Sequence, residues 1–391
     1  MAGRVGWSDS RWSSVAMIMC HASQLAVPLA LALLLATASS QSVVIPAHGS
    51  VADGNGRFGL ATDTYGFRWQ ILVDAAAIAS NGAVLSGIAF RSDEQEPWPG
   101  AALTNVTVTM SHSPAPAAGM STSFANNIAG PATTVFQGSV SFPGTSAALA
   151  GPSPWDVVVS FAVPYSFTSA QGNLLIDIVK PGLTGSATAP IGYFLDSVCG
   201  GGSATRFGVS GTSASTIYRP RLVCAAPSRA LTTGNTITFT SQWGTYPFVP
   251  SGTGWIALSL AAQPVPIDLG PLGAPANFLY VDPLVLASHP WTMPVPLWGW
   301  VGGASVTVPN NPLLVGTMLY AQSAGFDPAA NSLGLVTGNA VEVRIGDASE
   351  QLPMRMLVGS FAAASGSFLP CAGPTLPDYG AVALRLDGSF F

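Results

Sequence analysis

The chain has 391 residues, of which only 8% are charged, and its formal net charge is -5. Soluble proteins carry about 25% charged residues, but 48% hydrophobic residues are enough to build cores, so the composition is not that of a disordered chain. Nucleic-acid binding needs clustered Lys and Arg, and Lys180 is the only lysine. With 43 Gly, 32 Pro and abundant Ser and Thr, the composition favours a many-stranded β protein with a hydroxyl-rich surface.

The N-terminal segment has the pattern of a signal peptide. Leu25–Ala38 is an apolar run, too short to span a bilayer comfortably, that follows Arg4 and Arg11 and precedes small residues. We therefore predict a signal peptide at residues 1–40. The mature protein is expected to be exported and extracellular or at the cell surface, with no transmembrane segment.

Short runs of β-branched and aromatic residues, bounded by Gly, Pro and Asn, follow from residue 43. Two of them, Val157–Val163 and Leu174–Val179, flank a turn-rich segment and are expected to be neighbouring core strands. The other predicted strands of this series are Arg68–Val73, Val84–Arg91, Thr104–Ser111, Thr133–Phe142, Ile191–Ser197 and Ile217–Cys224. A helical turn is predicted at Asp74–Ser80.

A second strand series follows a hinge at Ala225–Gly234. Its predicted strands are Asn235–Gln242, Gly254–Leu260, Phe278–Val281, Ala304–Val308, Thr317–Ala324, Ala340–Ile345 and Ala381–Leu386, and Asn311-Pro312 predicts a helical turn through Val315. The expected fold is all-β, with two antiparallel, jelly-roll-like β-sandwich domains in tandem. The N-terminal domain is predicted at residues 41–226 and the C-terminal domain, with a Gly/Ala-rich tail, at 227–391.

Several motifs in this order carry a family resemblance. The first series reads RWQILVDAAAI, LSGIAFRSD, TNVTVTMSHS and PYSFTSAQGNLLIDIV, and the second reads VPNNPLLVGTMLYAQSAGFD and GNAVEVRIG. The chain resembles a widespread group of exported, mostly uncharacterised bacterial proteins with a β-sandwich ectodomain and a C-terminal "PNNPxLVGxxLYAQ" β module. The resemblance implies no catalytic residues. It departs at the C-terminal end, where neither a PEP-type sorting signal nor LPxTG occurs.

Three cysteines follow the predicted signal peptide. Export permits disulfides, and Cys199 and Cys224 bracket a Gly/Ser/Thr-rich segment, so we expect them to pair. Cys371 is then either free and buried or paired with another chain. Their spacing, without a companion His, does not indicate a zinc site.

Two motifs raise cofactor hypotheses. GNGRFG at Gly54–Gly59 matches the dinucleotide pattern, but no helix opening follows it, so we interpret it as a turn. Asp93, Glu94 and Glu96 in an acidic loop are speculative Ca²⁺ ligands. They lack the D-x-D-x-D-G spacing of a calcium loop, and solvated loop charges are the simpler interpretation. No other cofactor is predicted.

A catalytic grouping is hard to find. Asp282, Ser288 and His289 supply an acid, a hydroxyl and an imidazole, but no G-x-S-x-G elbow is present. A surface histidine beside Pro290 is the simpler interpretation. We therefore predict that the protein is not an enzyme and name no catalytic residues, with a secreted hydrolase as the least favoured alternative.

Trp291, Trp298 and Trp300 lie in one Pro-containing segment. Aromatic rings on a stiff loop can stack on sugar faces, although tryptophans in a sandwich commonly pack in the core. The sequence predicts a secreted structural, adhesion or recognition protein of the cell envelope or extracellular space. The alternative is a carbohydrate-binding module that uses the Trp291–Trp300 loop, with polysaccharide or envelope components as partners.

Overall fold

The computed structural model describes residues 41–50, 56–59, 66–78, 81–93, 100–144, 152–182, 194–198, 200–211, 221–224, 231–243, 251–292, 300–347, 352–369 and 381–391. The predicted signal peptide lies outside this range. Within the described part of the chain, no helix has the length and apolar character that crossing a membrane would require.

The protein is all-β, which confirms the predicted fold class. Its strands are β1 (Gln41–Ile45), β2 (Gly56–Gly59), β3 (Phe67–Val73), β4 (Gly82–Phe90), β5 (Ala101–Ser113), β6 (Ala129–Phe142), β7 (Val157–Thr168), β8 (Asn173–Lys180), β9 (Phe194–Val198), β10 (Ser203–Phe207), β11 (Arg221–Cys224), β12 (Thr236–Trp243), β13 (Ser251–Ser259), β14 (Ala262–Asp268), β15 (Phe278–Val281), β16 (Val285–His289), β17 (Trp300–Thr307), β18 (Met318–Phe326), β19 (Leu335–Arg344), β20 (Met354–Ser360), β21 (Ser367–Phe368), β22 (Ala381–Val382) and β23 (Leu384–Phe390). The helices described are short 3-10 turns at Ala47–Ser50, Ala75–Ile78, Ala117–Gly119, Ala125–Asn127, Ser169–Gln171, Gly270–Leu272 and Pro312–Leu314.

Two antiparallel sheets enclose the core of a first sandwich. One has the strand order β1-β23-β4-β7 and the other β21-β20-β3-β8-β5-β6. Leu85 and Ile88 of β4 belong to the same buried cluster as Ile176 and Ile178 of β8, so side chains of both sheets meet in one core. The β2-β9-β22 sheet adds residues such as Leu195 to that core.

The strands after residue 353 return to this first sandwich. β20 pairs with β3 and β23 pairs with β4, and Met356 and Leu386 are buried in the first core. In the other direction β10, which precedes the predicted boundary at residues 226 and 227, pairs with β19. Strand pairing therefore differs from two consecutive domains, because the first sandwich is built from chain on both sides of the second core.

The second core lies within residues 231–345. It is enclosed by the β10-β19-β18-β13-β16 and β11-β12-β17 sheets, and Phe239, Ile256 and Val341 come from strands of both. β14 and β15 continue the β13–β16 pair as one long hairpin. Its Tyr280 packs with Ala257 and Ala340 in a separate buried cluster.

Two local predictions are confirmed and two are corrected. The helical turns form at Ala75–Ile78 and Pro312–Leu314, and Asn311 Oδ1 accepts from the Leu313 N–H at 3.0 Å. Residues 56–59 form a strand instead of the predicted turn. The two runs expected to be neighbouring strands, β7 and β8, lie in different sheets because the turn at Ser169–Gln171 carries the chain from one sheet to the other.

A buried ion pair joins several segments of the first sandwich. Arg91, directly after β4, contacts Asp196 of β9 with an Nη2–Oδ2 distance of 2.6 Å, and the two side chains are 1% and 0% exposed. Arg91 Nη1 also donates to the Gly49 carbonyl at 2.7 Å. Its guanidinium lies 4.7 Å from the centroid of the Trp155 ring. One arginine thus connects the ends of four chain segments.

Replacing Arg91 tests how much it contributes to the stability of the fold. Arg91→Met leaves the Asp196 carboxylate buried without its cation, so we expect the free energy of unfolding to fall by about 3–5 kcal/mol. Urea denaturation measures it. The double variant Arg91→Met/Asp196→Leu should recover most of the loss, because a buried pair can be replaced by apolar side chains with little net change. A single variant as stable as the parent would contradict this account.

Candidate functional site

The predicted tryptophan segment is described only in part. Trp291 is half-buried and its ring meets His289 edge to face, with centroids 4.6 Å apart. Trp298 lies outside the described residues, and the backbone of Trp300 begins β17. A platform formed by the three tryptophans therefore stays a prediction.

His289 occupies a slot between two glycines. A Cβ atom built on Gly254 or on Gly302 would overlap the imidazole, so the absence of side chains at both positions makes room for the ring. His289 is 3% exposed, and burial lowers its pKa. Nδ1 lies 3.2 Å from the Pro290 carbonyl, while Nε2 has no hydrogen-bond partner among the described residues.

This burial corrects the interpretation of His289 as a surface residue. The same burial separates His289 from Asp282 and Ser288, the two residues with which it could have formed a catalytic grouping. Ser288 and Asp282 are exposed whereas His289 is buried. Consecutive strand residues point to opposite faces, so the Ser288 hydroxyl and the His289 ring lie on opposite sides of β16.

The acidic loop begins with a residue that already has a cationic partner. Arg206 Nη2 donates to Asp93 Oδ2 at 2.7 Å and to the Asp93 carbonyl at 3.0 Å. Asp93 is 8% exposed. Glu94 and Glu96 lie outside the described residues, and the described residues contain no cluster of three or more His, Cys, Asp or Glu suited to a metal. The Ca²⁺ hypothesis stays a prediction.

The predicted disulfide is also left open. Cys199 and Cys371 lie outside the described residues, and Cys224 is described by its backbone as the last residue of β11.

A cavity of about 650 Å³ opens at one edge of the first sandwich. It lies where β6 and β7, the edge strands of the two sheets, run side by side. In β7, the register shift sets residues 161–164 opposite Ser86, and in β6 another shift sets residues 130–132 opposite Ser111. Both bulges contain a proline, Pro164 and Pro131, that lines the cavity. We call this space beside the two bulges the edge cavity.

A hydrogen-bonded pair of side chains, His112 of β5 and Tyr165 of β7, lines the edge cavity. Their exposed fractions are 8% and 6%, and His112 Nδ1 lies 3.0 Å from the Tyr165 hydroxyl. The His112 ring also stacks on Phe167, with centroids 5.5 Å apart. Burial lowers the pKa of His112 and raises that of Tyr165 to about 12. Both groups are therefore neutral near pH 7.

The ring nitrogens of His112 each have one polar contact. The Thr168 N–H donates to Nε2 at 3.4 Å. Nδ1 shares a hydrogen bond with the Tyr165 hydroxyl, in which either atom can be the donor. Where Nδ1–H is the donor, the Tyr165 O–H remains available to a ligand.

The other described residues that line the edge cavity are uncharged. They are Ala129, Gly130, Pro131, Thr133, Pro164, Ser166 and Gln171. The site thus combines hydroxyl and amide groups with apolar ring surfaces.

A second cavity, of about 630 Å³, is lined from both sandwiches, by residues that include Pro46, Ala76, Ser203, Arg344 and Asp347. Arg344 and Asp347 are both exposed and of opposite charge. A lining that carries both signs of charge favours no one ligand class, and we assign the cavity no function.

Sequence reasoning missed the edge cavity because it ended two strands at prolines. Proline lacks the N–H that a ladder needs, and within sheets it is confined to edges and bulges. The predicted strand Thr133–Phe142 accordingly begins after Pro131 and the predicted strand Val157–Val163 ends before Pro164, whereas β6 and β7 continue through both prolines. A proline that interrupts an alternating apolar pattern, as Pro131 and Pro164 do, would have predicted a bulged edge strand.

A comparison with models of known protein families finds no match, and a search of curated protein sequences finds none.

The glycine slot predicts a steric effect. Gly302→Ala should lower the free energy of unfolding by about 1–3 kcal/mol, the usual range for overpacking a buried site. The control is Gly119→Ala, where the added Cβ would make ordinary van der Waals contact with Pro116. Urea denaturation compares the two. The double variant Gly302→Ala/His289→Ala should be more stable than Gly302→Ala alone, and equal stabilities would argue against the slot.

Burial of His112 predicts a pH dependence of stability. Its pKa lies below the ordinary 6.5 in the folded chain, so as the pH falls through 6.5 the unfolded chain binds a proton before the folded chain does. The free energy of unfolding should therefore fall with pH in this window, and the contribution of His112 should be complete above 6.5.

Urea denaturation at several pH values checks this, with His112→Gln as the comparison. His289 shifts in the same direction, so the variant should have a shallower slope but not a flat one. Identical slopes would contradict the assignment. The ¹⁵N shifts of the His112 ring should also show hydrogen on Nδ1.

Proposed function

We propose that the protein is an exported, non-catalytic recognition or adhesion protein of the cell envelope or extracellular space. The observation that carries this proposal is the exposed ladder of hydroxyl pairs on the β12–β17 face. Thr236 and Thr307 are paired at 3.0 Å between their hydroxyl oxygens, and Thr238 and Ser305 at 2.9 Å. The opposite face of β12 places Ile237 and Phe239 in the second core.

The use of charge supports the same proposal. Arg68 pairs with Asp177, Arg91 with Asp196 and Arg206 with Asp93, and none of these side chains is more than 24% exposed. These ionisable groups hold strands together and are not available for acid–base chemistry. Exposed hydroxyl pairs suit numerous weak hydrogen bonds to an uncharged partner surface.

The alternative is a carbohydrate-binding module that uses the Trp291–Trp300 segment. The observation in its favour is that Trp291 is half-buried, with its ring fixed against His289. A rigid aromatic ring with one accessible part is suited to stacking on a sugar face.

Binding to envelope preparations tests the proposal. The purified protein should be retained saturably on the envelope of the producing cells, and Thr238→Ala/Ser305→Ala should weaken retention several-fold, because it removes one hydroxyl pair of the ladder. The matched control is Thr109→Ala/Thr134→Ala, a cross-strand threonine pair of the first sandwich. Sedimentation with insoluble envelope measures both variants.

The outcomes separate the two candidates. Retention on purified polysaccharide that Trp291→Ala abolishes, while the ladder variant binds normally, would favour the carbohydrate module. Absence of retention on both envelope and polysaccharide would overturn the recognition proposal.

A further inference from the structure

We propose that the edge cavity is a binding site for a neutral sugar ring, held by the Tyr165 hydroxyl. This inference rests on the recognition function proposed above and names its ligand class. It also places the ligand in the first sandwich.

The size of the cavity agrees with such a ligand. Its volume of about 650 Å³ lies within the range of roughly 300–1,000 Å³ that is usual for small-molecule sites. It is also open on one side, between the two bulged edge strands. An open site of this kind can accept one ring of a longer chain as readily as a free monosaccharide.

The chemistry of the lining selects an uncharged ligand. None of the described residues that line the cavity is Asp, Glu, Lys or Arg, so these residues offer no fixed charge to compensate an anion or a cation that loses its hydration. Ser166, Thr133 and Gln171 provide hydroxyl and amide groups, which match the hydroxyls of a sugar. Pro131 and Pro164 provide apolar ring surface for its C–H groups.

The His112–Tyr165 pair gives the site a directed donor. The proposed binding state is the tautomer in which Nε2 accepts from the Thr168 N–H and Nδ1–H is donated to the tyrosine oxygen. In that tautomer the tyrosine proton can be donated to a ligand oxygen. Because both side chains are buried and the imidazole stacks on Phe167, the donor is oriented before a ligand arrives, and little freedom is lost on binding.

The backbone at the mouth of the cavity is also accessible. Gly130 lies in the β6 bulge with a φ of 71°, and a Cβ atom built on it would meet nothing within 4 Å. Glycine permits this left-handed conformation and lets a ligand approach the main chain closely. Bulges commonly occur beside sites where a strand must be redirected.

Titration with sugars tests the proposal. The probes are methyl glucoside, methyl galactoside and N-acetylglucosamine, with glucuronate and glucosamine as charged counterparts. The readout is the His112 Cε1–H resonance in ¹H–¹³C spectra of the purified protein. At least one neutral sugar should shift it saturably, and the charged counterpart of that sugar should bind more weakly.

Two matched pairs of variants localise the binding. Thr133→Trp fills the cavity and should abolish the shift, whereas Thr134→Trp, the next residue on the opposite face of β6, should leave it intact. Tyr165→Phe should weaken binding by about two- to tenfold, the range for one uncharged hydrogen bond. Tyr280→Phe, which removes a hydroxyl bonded to Val209 in the second sandwich, should not affect binding.

The proposal is overturned if no sugar shifts the His112 resonance, if charged sugars bind more tightly than neutral ones, or if binding survives Thr133→Trp. In each case, envelope retention of the parent protein would show that the recognition function stands and that the edge cavity is not its site. Loss of envelope retention together with normal sugar binding would instead leave the cavity site intact and remove the recognition function.

Discussion

The structure depends on the placement of one buried cation. Arg91 lies where β4 leaves the four-stranded sheet, and its guanidinium contacts Asp196 of β9, the Gly49 carbonyl and the Trp155 ring. Two residues later Asp93 accepts from Arg206 of β10, a strand of the second sandwich. Burial without a partner would be prohibitive for any of these charges. A short polar stretch therefore fixes the ends of several strands and joins the two sandwiches.

The sequence was sufficient to predict which residues form strands but not how the strands pair. The alternation in Thr104–Ser111 predicted β5, because a strand with one covered face alternates apolar and polar residues. The apolar run in Leu174–Val179 predicted β8, because a strand covered on both faces is apolar throughout. Pairing is a long-range property: β20 joins β3 and β23 joins β4. Nothing local to Met354–Ser360 distinguishes β3 from any other partner. The sequence therefore led to an expectation of two domains in tandem, and the observed strand pairing differs from it.

The candidate site was predictable only in its parts. His112 and Tyr165 lie just beyond the predicted strands Thr104–Ser111 and Val157–Val163 and are 53 positions apart. They meet because β5 and β7 belong to the two sheets that enclose the first core. The contact between the Thr168 N–H and His112 Nε2 is likewise invisible without coordinates. The tryptophan segment was conspicuous in the sequence because of its composition, whereas the edge cavity is formed by ordinary residues in an unusual backbone.

The return of the last strands to the first sandwich has a consequence for how the molecule is made. β4 and β3 receive β23 and β20 as neighbours only after some three hundred residues have followed them in the chain. During synthesis, one edge of β3 and one edge of β4 therefore remain unpaired until β20 and β23 have been made. The second core can assemble earlier, because its residues are contiguous in the chain. Such a high contact order favours late completion of the first sandwich, because β3 and β4 reach their native pairing only once β20 and β23 are available.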